Sequence, residues 1–234
     1  MNVQPEIHQS QPPPRKIQLA EVCVFLFLIV PSMILSVPVV KKGTLNFSFV
    51  AAISILQDLA LLSLILFFVW RNAEGLRSLG LRAAHGIREL LLGILLYIPF
   101  TFIVRLLTYG LQLAGVSLPQ KPPAFLIPRT PADTLLAIVF LVVVAVTEET
   151  LFRGYLLLRF KQLLKNTPAA VVLSALVFSM GHGYQGAGGV IAVGTMGILF
   201  AVIYLWRQSL LAVMMIHFLQ DFMAMIIGPA VMGQ

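Results

Sequence analysis

The chain has 234 residues, 59% of them hydrophobic and 11% charged, against roughly 45–50% apolar and 25% charged in an ordinary soluble domain, so a water-soluble fold is excluded. The formal charge of +7 does not indicate nucleic acid, because the basic residues are scattered over short loops with no cluster interleaved with aromatic side chains. Only helices or closed barrels satisfy their backbone hydrogen bonds in lipid, and these long unalternating apolar runs are not barrel strands. The fold expected is all-α, a polytopic transmembrane bundle.

Residues 1–16 read as a polar, disordered tail ending in Pro12-Pro13-Pro14-Arg15-Lys16, with residues 17–234 as one transmembrane domain. The run from Ile17 to Val40 is longer than a signal-peptide core and has no clear small-residue cleavage site, so it is expected as a retained span. A second span covers Phe47 to Trp70, with Asp58 near its middle. The basic loop from Arg71 to Arg88 places Leu76, Leu79 and Leu81 for a surface-lying helical turn. The third span, Glu89 to Leu113, contains Pro99 and Arg105. An arginine at that depth must snorkel or find an acid, and Asp58 and Arg105 are expected either to form a structural pair or to find partners elsewhere in the bundle.

After a proline-rich connector from Gly115 to Pro131, a long fourth helix is expected from Thr134 to Leu164, its last turns carrying Arg159, Lys161 and Lys165 into the cytoplasm. Pro168 starts a fifth helix running to about His182. The glycine-rich turn from Gly181 to Gly189 permits a tight bend and close approach of a substrate. The sixth span, Val190 to Trp206, has Gly194 and Gly197 for close packing, and the seventh covers Leu210 to Ile227. The expectation is therefore about seven spans, with an eighth, half-crossing helix left open. With a cytoplasmic amino terminus, Arg15, Lys16, Arg71, Arg77, Arg82, Arg88, Arg159, Lys161, Lys165 and Arg207 face the cytoplasm, and only Lys41, Lys42, Lys121 and Arg129 lie in loops on the other side. That distribution follows the positive-inside rule. The single Cys23 excludes an internal disulfide.

Polar side chains inside these spans are functional candidates, because an unpaired charge there costs at least about 2.5–3.5 kcal/mol. Glu148 and Glu149 are adjacent, and Arg153 stands four residues beyond Glu149, on the same helix face. Glu149 is expected to hold Arg153, leaving Glu148, about 100° away, free to act. His217 and Asp221 form a second i, i+4 pair, and His182 lies at a helix end beside glycines. A screened carboxylate can serve as general base for water, and a histidine can orient that water or stabilise an oxyanion. The motifs GxSxG and HExxH are absent and Cys23 has no histidine nearby in sequence, so serine, cysteine and standard zincin mechanisms have little support.

The ordered series Glu148-Glu149-x-x-x-Arg153, Phe178-x-x-x-His182 and His217-x-x-x-Asp221 resembles the CAAX protease and bacteriocin-processing (CPBP, Abi) family of intramembrane endopeptidases, over about Thr134 to Met225. The core of that resemblance spans residues 134–225. It implies peptide-bond hydrolysis in or at the membrane, with Glu148 activating water, His182 positioning it, and His217 with Asp221 stabilising the oxyanion. Glu149 and Arg153 would be supporting residues. Many family members carry asparagine where this chain has Asp221, so here the residue is expected either to be protonated or to orient His217. The resemblance leaves metal open: Glu148, His182 and His217 could supply three ligands to Zn²⁺. A metal-free glutamate mechanism is preferred, because no short-spaced helical ligand pair is present.

The implied partners are membrane lipid and a peptide or protein substrate, with a prenylated CAAX protein and an unprenylated peptide both open. Competing readings are a proton-coupled transporter and a noncatalytic scaffold. A transporter should distribute buried ionisable groups over two repeated halves, whereas here they concentrate in one half without a repeat.

Overall fold

The computed structural model describes residues 12–41, 45–81, 86–119 and 122–231. The expected polar tail, apart from its last residues, lies outside these. Every regular element described is helical. Six helices are long and apolar enough to cross a membrane, and the chain is an integral, multi-pass membrane protein. Their outer faces are apolar, Phe27, Leu56, Ile98 and Phe102 all being exposed, as lipid contact requires.

Helices α1 (Arg15–Lys41), α2 (Phe47–Arg71) and α3 (Gly86–Leu113) match the first three expected spans. Asn46 starts α2 by accepting a hydrogen bond from the Phe49 amide at 2.8 Å. The fourth span begins at Pro131, three residues earlier than expected, because Thr130 and Asp133 form a reciprocal capping box around a proline that needs no amide partner. Helix α4 (Pro131–Glu149) continues through a π-helical segment, Thr150–Leu156, into α5 (Leu157–Leu164). The fifth expected span is α6 (Thr167–Met180), which at 14 residues is shorter than a crossing needs. Helix α7 (Gly186–Arg207) then returns, and α8 (Leu210–Phe222) runs through a second π segment, Met223–Ile227, into the short α9 (Gly228–Val231). The main packing partners are α3 with α8, α6 with α7, α2 with α4, and α4 with α8.

Helix α7 starts at Gly186 rather than Val190. The glycine-rich turn serves the chain itself: a Cβ on Gly188 would sit 2.1 Å from the Ser117 carbonyl oxygen. The close approach there is made by the connector backbone. The expected surface turn is a 3-10 helix, Leu76–Leu79, in which Leu76 is exposed and Leu79 is buried against the bundle.

One end of the bundle is closed by ion pairs. Arg71 pairs with Glu21, Arg207 with Glu89 at 2.6 Å, and Arg159 grips both oxygens of Glu74. Arg159 therefore does not emerge into the cytoplasm as expected. It is fully buried, lies 3.4 Å from Glu21 and sits over the Tyr155 ring at 4.9 Å. Tyr155 in turn donates to Glu21 at 2.7 Å. The expected Asp58–Arg105 pair is also absent: Arg105 is exposed on α3 with no ion pair among the described residues, while Asp58 faces an internal cavity. Removing Arg159 would leave Glu74 buried without its counterion, so Arg159→Ala should cost about 3–5 kcal/mol. Thermal unfolding in detergent checks this, and an unchanged midpoint would contradict it.

Candidate functional site

Glu148 and Glu149 lie midway along the continuous Pro131–Leu164 helix, just before its π-helical segment. A π turn widens the helix, and such turns recur at functional sites. Here the Phe152 carbonyl accepts from the Leu157 amide and also from the Ser174 hydroxyl at 2.7 Å, which ties α6 to this segment. Every residue from Glu149 to Leu157 is buried.

Within that segment Arg153 donates to Glu149 at 2.9 Å, both side chains being essentially inaccessible. Its guanidinium lies 4.2 Å from the centre of the Phe178 ring and 4.9 Å from that of Phe200. The charge is thus neutralised by one carboxylate and otherwise enclosed by aromatic faces. Gly197 completes the enclosure: a Cβ there would meet Ala175 and Phe178 at 3.2 Å. This is the close packing expected of the Gly194–Gly197 stretch.

The same Glu149 oxygen that pairs with Arg153 also accepts from His217 Nδ1 at 2.7 Å. A carboxylate partner at this distance assigns the proton to Nδ1. The imidazole stacks on Phe200, with centroids 5.3 Å apart and planes 23° apart, and meets the edge of Phe178 at 6.2 Å. Its orientation is therefore held from both sides. Nε2 points into the cavity, 3.3 Å from Asp221 Oδ2 and 3.7 Å from Glu148 Oε2. Glu148 Oε2 has no hydrogen-bond partner.

These groups line a cavity of about 900 Å³ between α1, α2, α4, α6, α7 and α8. Glu148, His182, His217 and Asp221 all border it, whereas Glu149 and Arg153 stand behind its wall. His182 Nδ1 is 3.4 Å from the Phe178 carbonyl oxygen, and its ring lies 5.2 Å from the Phe178 ring. Phe178 contacts Arg153, His182 and His217 together. Asp58 of α2 also borders the cavity. The signal for it was present, a lone carboxylate amid an apolar run, but no spacing rule links it to motifs on other helices.

The Zn²⁺ alternative can be compared with this geometry. Among the described residues no three His, Cys, Asp or Glu side chains are gathered so as to hold a metal ion. Glu148, His182 and His217 all border the same cavity.

The aromatic enclosure demands a planar, delocalised cation. Arg153→Lys, although it conserves charge, should lower stability by about 2 kcal/mol or more, measurable as a reduced unfolding midpoint in detergent.

No curated protein and no solved structure matches the chain. A family model does: Rce1-like, described as type II CAAX prenyl endopeptidase Rce1-like, matches residues 130–223. The match begins at the capping box of α4 and ends just past Asp221, so it takes in every candidate residue except Asp58. With the motif series and the six long apolar helices, residues 130–223 are similar to the Rce1-like family, type II CAAX prenyl endopeptidase-like proteins.

Proposed function

We propose that the protein hydrolyses a peptide bond of a membrane-associated protein or peptide with water activated by Glu148. The observation that carries this reading is the unpartnered Glu148 Oε2, buried in the cavity 3.7 Å from an imidazole nitrogen whose ring is fixed by Glu149. Glu148 takes a proton from water as the water oxygen attacks the scissile carbonyl carbon. His217, carrying protons on both nitrogens between Glu149 and Asp221, then offers Nε2–H to the oxyanion while Nδ1–H stays on Glu149. Collapse of the tetrahedral intermediate breaks the C–N bond, and the proton held by Glu148 passes to the leaving amine. His182, donating Nδ1–H to the Phe178 carbonyl, keeps Nε2 available to accept from the attacking water. Glu149 and Arg153 act behind the wall, fixing the position of His217.

Asp221 suits an orienting role better than an oxyanion-binding one, since its oxygen faces Nε2 at 3.3 Å and a carboxylate repels an oxyanion. The apolar lining of the cavity accepts either an apolar peptide segment or a lipid chain, so a prenylated CAAX terminus and an unmodified peptide remain the two substrates to compare. The distribution of basic residues supports a cytoplasmic amino terminus.

Cleavage of a quenched fluorescent peptide panel, farnesylated and plain, by purified protein tests the reading. Glu148→Gln should lose about 10²-fold or more of the activity, the usual contribution of a general base, and His217→Ala about 10²–10³-fold. A strong chelator should have no effect; inhibition reversed by Zn²⁺ would replace the glutamate mechanism with a metal-assisted one.

Asp221→Asn, which keeps an oxygen able to face Nε2, should lose less activity than Asp221→Ala in the same assay. Equal losses would contradict the orienting role. Cleavage unaltered by Glu148→Gln would dismiss the catalytic assignment altogether.

A further inference from the structure

Helices α1 and α2 are held together at one end of the bundle, where Glu21 of α1 pairs with Arg71 and accepts from Asn72 at 2.7 Å, just past the end of α2. Away from that end they pack on other elements, α1 on α5, α6 and the Gly183–Gln185 turn, and α2 chiefly on α4. Both nevertheless line the cavity that holds Glu148, through Ile29, Ser32 and Ser36 on one side and Ser54, Gln57 and Leu61 on the other. Ser32 and Gln57 lie midway along their helices and are exposed, and the neighbouring Leu35, Ile53 and Leu56 are exposed with them. The cavity therefore opens between α1 and α2 onto the apolar surface that faces lipid. Among the described residues, the bond across this opening runs from Gln57 Nε2 to Ser32 Oγ, and at 3.5 Å it is long.

The opening is level with the candidate base, since Asp58, next to Gln57, borders the cavity and its charge acts on that of Glu148. Its rim is polar where lipid favours an apolar one. The Ser32 and Ser36 hydroxyls donate to the Ile29 and Met33 carbonyls of their own helix at 2.8 and 2.7 Å, which leaves their oxygens as acceptors. The Gln57 carboxamide brings two N–H donors and a carbonyl oxygen, of which the long bond to Ser32 uses a single donor. Such a group left unmatched in hydrocarbon is costly. An extended peptide carries the complementary set: when a membrane-spanning helix unwinds, its N–H and C=O groups lose their partners and must be paired by protein. An isoprenoid chain has no polar group to offer.

We propose, building on the peptidase reading above, that the gap between α1 and α2 admits substrate sideways from the lipid, and that this substrate is an unwound stretch of a membrane-spanning polypeptide whose backbone pairs with the Gln57 carboxamide on its way to Glu148. The long Gln57–Ser32 bond gives way to peptide groups as the chain enters. A prenyl chain finds no partner at this rim.

Photo-cross-linking tests this without relying on catalysis. In Glu148→Gln protein reconstituted into lipid nanodiscs, p-benzoylphenylalanine replaces Ser36 or Ser54 at the opening, or Phe102 on the exposed face of α3. The probes are a biotinylated alanine–leucine span with a central Gly-Pro-Gly break, the same span unbroken, and a biotinylated farnesylated CAAX peptide. The broken span should be captured at the opening in preference to the Phe102 position and to both other probes, and either opening position suffices if the other variant fails to fold. Gln57→Leu, an apolar change at an exposed site, should lower that capture about tenfold, as the loss of one or two hydrogen bonds to the peptide requires. Capture no better than at the Phe102 position, preference for the unbroken span or the farnesylated peptide, or indifference to Gln57→Leu overturns the proposal. Cleavage assays on the unsubstituted protein separate it from the peptidase reading. Capture of the broken span with no cleavage of it or of the peptide panel keeps the sideways entry and sinks the peptidase; cleavage without capture keeps the peptidase and overturns the entry.

Discussion

One carboxylate oxygen supports most of the site. Glu149 Oε1 accepts from Arg153 at 2.9 Å and from His217 at 2.7 Å, and thereby joins the cation of the π segment to the imidazole of α8. Without it Arg153 would be a buried charge with no counterion, which costs several kcal/mol in a low-dielectric interior. The consequence reaches further than stability. Because Nδ1 is committed to Glu149, only Nε2 faces the cavity, and it faces Glu148 and Asp221.

Arg153 needs more than a counterion, and the aromatic rings around it explain much of the local packing. Phe178 and Phe200 lie against its guanidinium while also flanking His217, and Phe100 stacks on Phe200 with ring planes 4° apart. The same rings therefore stabilise the buried charge and set the imidazole plane. At Gly197 the two helices bearing these rings come so close that a Cβ would stand 3.2 Å from Ala175 and Phe178. The π segment contributes from the other side: its Phe152 carbonyl, bonded by the Leu157 amide, also accepts from Ser174, which anchors α6, and α6 carries Phe178 and delivers His182 to the cavity wall.

The two ends of the bundle show opposite solutions to the same physical problem. At one end buried acids from α1, the α2 exit and α3 neutralise Arg71, Arg159 and Arg207, and Tyr155 fills the space between them. At the other end polar groups face a cavity instead of one another.

Much of this could be read in the chain itself. Apolar run lengths placed α1, α2 and α3 to within about three residues, as the absence of water in the bilayer demands. The i, i+4 spacings of Glu149 with Arg153 and His217 with Asp221 were sufficient to pair them, because a helix face is a local property. Relations between helices were not legible. That Glu149 would hold His217, 68 residues away, that Asp58 would turn toward the cavity rather than toward Arg105, and that Arg159 would be enclosed by Glu74 and Tyr155 all depend on how faces rotate against one another. The short α6 and the π turn escaped for a related reason: each is fixed by a carbonyl, a hydroxyl or a glycine surface on a neighbouring helix, and hydropathy registers none of these. Sequence by itself determined which residues could not stand alone in lipid; tertiary structure decided which partner each received, and left Glu148 Oε2 without one.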